Sequence, residues 1–311
     1  MKRKMLNVPK GGYDGMKGFT IVEFLVAGLL SIIVLIAVVS SYFTSRKLND
    51  AANERLAIQQ DLRNAATLIV RDARMAGSFG CFNMSEHTEK DVVFDVAQKN
   101  RLFSLKGSSA NKLIPIAESL NIGYQGFAQV RPALIFQYGI DDVNASAETT
   151  VVSSCGVISK PGKQIPTLED AKKELKIQNS GKEQNGNIAR QRHVVNAYAV
   201  GRIAGEEGLF RFQLDDKGKW GNPQLLVKKV KRMDVRYIYV SGCPEDAGKE
   251  EQFKYTDKFD KSRDAVTPAG VEVLLDSGLD AKIAASSDNS IYAYRINATI
   301  RGGNVCANRT L

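Results

Sequence analysis

From Phe19 to Phe43 the chain runs for 25 residues with a single charged side chain, Glu23. About 20 apolar residues suffice for a helix to cross the roughly 30 Å hydrocarbon core of a bilayer, so this stretch is long enough to span one. A carboxylate inside such a segment costs at least about 2.5 kcal/mol, and it is retained where it has a cationic partner and a purpose. The fold must therefore start from a long apolar helix with one charge that calls for a cation.

The residues before the run suggest where that cation comes from. Lys2, Arg3, Lys4, Lys10 and Lys17 precede it against Asp14 alone, and the basic leader stops at Gly18, directly before Phe19. Cleavage between Gly18 and Phe19 would create a free α-amine four residues ahead of Glu23, and the amine of a neighbouring copy could then pair with that carboxylate. The string Gly18-Phe19-Thr20-Ile21-Val22-Glu23 resembles the processing site of type IV prepilins. What the resemblance implies is a dedicated membrane peptidase that cuts after the glycine, methylates the new amine of Phe19, and leaves Glu23 for assembly. A secretory signal would place 7–15 apolar residues before a small-residue cleavage site, which this longer run does not match. An uncleaved anchor would leave Glu23 unexplained.

Basic residues ahead of a first membrane segment stay cytoplasmic, which puts everything after Phe43 on the far side. The expected location is the bacterial inner membrane, crossed once, with a periplasmic head that later joins a surface filament. Removing residues 1–18 takes the formal charge from +9 to +5. In an oxidising compartment the four isolated cysteines, Cys81, Cys155, Cys243 and Cys306, read as disulfides rather than metal ligands. Three pairings are possible. The expectation adopted is Cys81–Cys155 with Cys243–Cys306, two independent loops each worth about 4 kcal/mol on the chain-entropy account.

Beyond Phe43, Ser45 to Ala76 contains neither proline nor glycine, so the helix should continue. Leu48, Ala51, Ile58, Leu62, Ala65, Ile69, Ala73 and Ala76 fall at helical spacing and predict a core-facing stripe. Gly77-Ser78-Phe79-Gly80 supplies the stop. A helix from Phe19 to Ala76 would measure roughly 87 Å at 1.5 Å per residue. After it come β-type runs at 133–138, 149–152, 194–200, 209–214, 233–240 and 291–300, several alternating in polarity. The polar stretch 160–192, with one helical patch near Leu168–Leu175, reads as an exposed excursion.

Two further segments carry a closer resemblance. Val70-Arg71-Asp72-Ala73-Arg74-Met75-Ala76-Gly77-Ser78-Phe79-Gly80-Cys81 is similar to the helix end of the PilW family of type IV pilus minor pilins, and residues 224–237 resemble its later strand pattern. The expected fold is α+β and pilin-like, with a long N-terminal helix packed on a mainly antiparallel β-sheet head. The expected division is a cleaved leader (1–18), a transmembrane or filament-core half-helix (19–43), an amphipathic half-helix (44–77) and a β-rich head (78–311). The implied function is a minor pilin that promotes or initiates pilus assembly within a tip complex. Its implied partners are other minor and major pilins, the prepilin peptidase and methyltransferase, and the inner-membrane assembly machinery. The alternatives are a pilus-borne adhesin or DNA receptor, and a minor pseudopilin of a type II secretion system.

No nucleophile elbow, metalloprotease, phosphate-loop or dinucleotide motif occurs in the sequence, so catalysis, a cofactor and a required metal are not expected. Lys228-Lys229-Val230-Lys231-Arg232 could meet phosphates, but it lies between two strand patterns without interleaved aromatics. It reads as a solvated connection, and a nucleic-acid partner is not expected.

Overall fold

The computed structural model describes residues 18–93, 112–176, 187–241, 252–259, 267–276 and 294–300. Helix α1, Ile21–Met75, is continuous over 55 residues. The chain divides into two compact units, 1–57 and 58–311. In the first unit α1 carries exposed apolar side chains from Ile21 to Phe43, and it is the one helix among the described residues long and apolar enough to cross a membrane.

The second unit begins with the last five turns of α1. Ile58, Leu62, Ala65, Ile69, Ala73 and Ala76 are all buried, as helical spacing predicts, whereas Leu48 and Ala51 of the same stripe are exposed in the first unit. The helix stops where Gly77 adopts a left-handed φ of +79° and sends its N–H to the carbonyl of Gln137 at 2.8 Å. A Cβ there would stand 2.9 Å from Cβ of Pro115, so glycine meets both a conformational and a steric requirement.

The chain then folds into short strands, β1 (Ser78–Phe79), β2 (Phe82–Asn83) and β3 (Val92–Val93), followed by β4 (Ile116–Ser119), β5 (Ala128–Gln129), β6 (Ala133–Ile140), β7 (Thr150–Ser153) and β8 (Ile158–Ser159). A short helix, α2 (Leu168–Glu174), precedes the 15-residue β9 (Ala189–Ile203). After it come β10 (Glu206–Leu214), β11 (Trp220–Lys228), β12 (Arg232–Ser241), β13 (Gln252–Thr256), β14 (Gly270–Asp276) and β15 (Tyr294–Thr299).

Among the described residues β9 organises a nine-stranded sheet. One edge of β9 pairs with β7 through 189–192 and with β10 through 196–203, while β6 and β5 take its other edge; β11 extends the sheet beyond β10. These pairings are antiparallel, and the short β3–β8 contact is parallel. A second, four-stranded antiparallel sheet has the order β13-β12-β14-β15.

One core joins the helix to both sheets: Ile58, Leu62, Ala65, Ile69 and Ala73 of α1, with Ala76 just past its end, share a cluster with Phe136, Tyr198, Leu209, Val227, Tyr237, Val273 and Ile296. The other face of β9 and β10 is buried too, with Ala197, Ala199, Phe210 and Phe212 under Ile122, Tyr124 and Phe127. Burial on both faces explains why β9 reads as apolar almost continuously from Val194 to Val200.

Several expectations shift by a few residues, and one changes in kind. The 160–192 stretch is not an exposed excursion throughout: Ile165, Ala171 and Leu175 are buried against Val152, and β9 already begins at Ala189. The basic run 228–232 does connect two strands, β11 and β12, with Lys229 at φ +62° and Val230 buried between its charged neighbours. Of the last predicted strand, 294–299 is a strand and 291–293 lies outside the described residues.

Candidate functional site

At the start of α1, Gly18 and Phe19 are exposed, Phe19 to 84%. Thr20 precedes the first helical residue, and its N–H and Oγ1 both donate to Oε2 of Glu23 at 3.0 Å. Oγ1 of Thr20 accepts in return from the Glu23 N–H at 3.3 Å. This is a capping box, Thr-x-x-Glu, which satisfies helix N–H groups that have no intrahelical partner. The signal stands in the sequence, and the reading of Glu23 as a charge awaiting a cation passed over it. Oε1 of Glu23 takes no bond among the described residues, so the carboxylate keeps capacity for another donor.

The other end of α1 holds a group that sequence reasoning missed. Asp72 sits between core residues Ile69 and Ala73 and is 0% exposed. Its Oδ1 accepts from the Tyr138 hydroxyl on β6 at 2.9 Å and from Arg71 Nη2 at 3.2 Å. Its Oδ2 accepts from the Tyr198 hydroxyl at 2.6 Å and from Asn196 Nδ2 at 2.9 Å, both on β9, with Arg211 Nη2 of β10 at 3.6 Å. Asn196 Nδ2 also donates to the Tyr138 oxygen at 3.0 Å.

Alternation explains the convergence. Asn196 and Tyr198 are two apart on β9 and share its helix-facing side, Tyr198 pairs with Arg211 across to β10, and Asn196 pairs with Phe136 two residues from Tyr138. Three strands thus present donors to one carboxylate. Burial, and then the Asp72 charge, push the Tyr138 hydroxyl up to about 12 and the Tyr198 hydroxyl upward as well, so both remain donors. The available signal was a carboxylate on the buried phase of an otherwise apolar stripe.

Just past the helix, Ser153 Oγ donates to the Phe79 carbonyl at 2.7 Å, and Cys81 is joined to Cys155 as expected. Gly80, at φ +68°, approaches Ala189 so closely that a Cβ would lie 2.8 Å from Ala189 Cβ. The segment Asp72 to Cys81 is therefore fastened to β6, β7, β9 and β10 by a carboxylate, a hydroxyl, a backbone bond and a disulfide. Cys243 and Cys306, and the leader through residue 17, lie outside the described residues.

The two histidines lie apart from each other and from Asp72. His193 is buried beside Gln137, its Nε2 3.1 Å from Oε1, and desolvation lowers its pKa to about 3. His87 stacks on Phe82 with ring centroids 4.2 Å apart. Asp257 pairs with Arg236 at 3.3 Å. The described chemistry is that of a helix held firmly at one end and apolar at the other.

The chain matches no protein-family model, no curated protein and no solved structure. What is established is the class: a protein with an N-terminal helix long and apolar enough to span a membrane, followed by a mainly antiparallel β-rich domain with a disulfide.

Proposed function

We propose that this chain is a minor pilin that promotes or initiates type IV pilus assembly from the bacterial inner membrane, in a tip complex with other minor and major pilins. It is cut between Gly18 and Phe19, N-methylated on Phe19, held by one membrane-spanning helix with its head in the periplasm, and then drawn into the filament. Its contribution is assembly rather than catalysis. Glu23 receives the amine of an adjacent subunit.

The observation that carries this reading is the exposed apolar helix from Ile21 to Phe43, whose sole charge is Glu23 and which begins directly after the Gly18-Phe19 junction. The bonds to Thr20 use one of the Glu23 oxygens within the chain, and a helix that must register against a neighbour has a use for the other. The fastening around Asp72 supports it as well, because force on such a helix has to reach the head.

The test is mass analysis of the membrane-extracted protein, combined with filament recovery from cells carrying Glu23→Val. The expected result is a mature end at N-methylated Phe19, normal membrane abundance of the variant, and loss of filaments. An intact Met1, or a mature end beyond the apolar run, refutes the prepilin reading. Wild-type filaments from the correctly processed variant refute the role given to Glu23.

A further inference from the structure

The outer side of α1 in the second unit forms a shallow groove with β15. Its floor is Ala66, Val70, Met75 and Tyr294, all partly buried, and its ends are the exposed Arg63 and Arg74. Ala66, Val70 and Tyr294 pack on the main core beneath, so the floor is fixed in place. Arg71 flanks the groove while bonded to Asp72.

The Arg63 and Arg74 side chains make no hydrogen bond or ion pair among the described residues. Arginines elsewhere in this unit do: Arg131, Arg192, Arg202, Arg211, Arg232, Arg236 and Arg295 each lie within 4.0 Å of a carboxylate oxygen. Two cations without a carboxylate partner among the described residues, bracketing a preformed apolar strip, suit an amphipathic helix with carboxylates at a matching interval. Arg63 and Arg74 are eleven residues apart, about three turns and about 17 Å along a helix.

The same interval occurs in acids of this chain. Asp50 and Asp61 are separated by eleven residues, an interval that an ideal helix brings to within about 20° of one side, with Glu54 between them. Asp50 is exposed and Asp61 partly so, and neither makes a hydrogen bond or ion pair among the described residues.

We infer that this groove seats α1 of a second, parallel copy of the chain, with the neighbour's Asp50 on Arg63 and its Asp61 on Arg74. The register displaces the neighbour by thirteen residues, about 20 Å along the helix. Groove and acidic side are different surfaces of one chain, so the contact is head-to-tail and one copy leaves a free surface of each kind for the next. The inference deepens the filament-subunit reading, and rests on it for the parallel orientation. It places more than one copy of the chain in the initiating complex.

The test uses full-length Arg63→Lys/Arg74→Lys protein in membranes, prepared as a mixture of isotope-labelled and unlabelled copies. A water-soluble carbodiimide activates a carboxylate, the lysine amine displaces the urea, and an amide forms only where the two groups touch. Mixed-isotope peptides linking position 63 to Asp50 and position 74 to Asp61 are expected, falling at least tenfold in 0.5 M salt because the rim contacts are exposed. Links from position 74 to Asp50 would overturn the register, and single-isotope links alone, or none, would overturn the contact.

In parallel, the charge-reversed Arg63→Glu/Arg74→Glu chain should lose at least tenfold in self-association and regain it when mixed with Asp50→Lys/Asp61→Lys copies. Undiminished association overturns the inference. Loss without rescue assigns the groove to another acidic segment and overturns the choice of a second copy. Sequencing the N-terminus of the same preparation separates the outcomes: a mature Phe19 end with no association removes this contact and leaves the filament reading standing.

Discussion

Replacing Asp72 by alanine tests whether the buried carboxylate holds the helix end to the sheet. The change removes the acceptor for two tyrosine hydroxyls and one amide, at 2.9, 2.6 and 2.9 Å, and withdraws the charge facing Arg211. A buried donor left without a partner costs about 1–3 kcal/mol. Loss of one member of a buried ion pair costs about 3–5 kcal/mol. The contributions share one site and do not add, since Tyr138 and Asn196 can still bond each other at 3.0 Å. We expect Asp72→Ala to lower stability by about 4 kcal/mol, a large fraction of the roughly 5–15 kcal/mol available to a folded domain.

Asp72→Asn keeps the shape but turns an amide toward a donor on one side or the other, and should lose about 2 kcal/mol. The assay is urea unfolding of the full chain in detergent, followed by fluorescence of Trp220, the single tryptophan, which packs partly buried on β11. An unchanged slope with a lowered midpoint is the expected form. If Asp72→Ala unfolds within 1 kcal/mol of the wild type, the carboxylate is not what fastens the helix, and the apolar stripe and disulfide must suffice.

Two other perturbations probe the same unit. Cys81→Ser/Cys155→Ser opens a loop of 74 sequence steps and should destabilise by about 4 kcal/mol on the chain-entropy account, read from the same unfolding curves with the wild type under non-reducing conditions; a loss below 1 kcal/mol would show the link to be redundant. His193 is kept neutral by burial, with its pKa lowered from 6.5 to about 3, so only the unfolded chain takes up its proton as pH falls below 6.5. Its contribution is flat above that pH and worsens toward pH 3, reaching about 2 kcal/mol at pH 5. The difference in stability between pH 7 and pH 5 should shrink by that amount in His193→Gln, and an identical pH slope in both proteins would refute it.

The parts of the fold legible in the sequence are those where a period is uninterrupted. Helix α1 is a run without proline or glycine that ends at a glycine, and from Ile58 onward its stripe is the buried face. Strands β6, β9, β10 and β12 are apolar or alternating over six residues or more and were found with shifts at their ends. Most of the missed strands are short: β1, β2, β3, β5 and β8 are two residues long, below any periodic signal, and β4 and β13 are four and five; the longer β14, Gly270–Asp276, carries Glu272 in an apolar run. Glu272 is buried, and Arg236 and Arg295 on the neighbouring strands meet its oxygens at 3.5 and 3.2 Å, a pairing that only the assembled sheet supplies. Asp72 is the same case in the helix. A buried carboxylate looks like a surface residue until its donors, 66 and 124 positions away for Tyr138 and Asn196, are brought to it.

Glu23 joins the local and the proposed intermolecular chemistry. Its bonds to Thr20 settle one oxygen and start the helix, which gives the carboxylate a use within a single chain. A carboxylate has about four acceptor sites, and the capping box leaves Oε1 open, so the cap does not compete with a cation from outside. The positive end of the helix dipole also favours a negative group in this first turn. Cutting after Gly18 would leave Phe19 and Thr20 as the first two residues, so the cap would survive processing intact while the new amine, one residue ahead of Thr20, became available to a neighbour. The same residue can then order the end of its own helix and offer its second oxygen to the next subunit. On the proposed reading, a glutamate, with two separable oxygens and the reach to turn back on Thr20, would serve here better than a single hydroxyl.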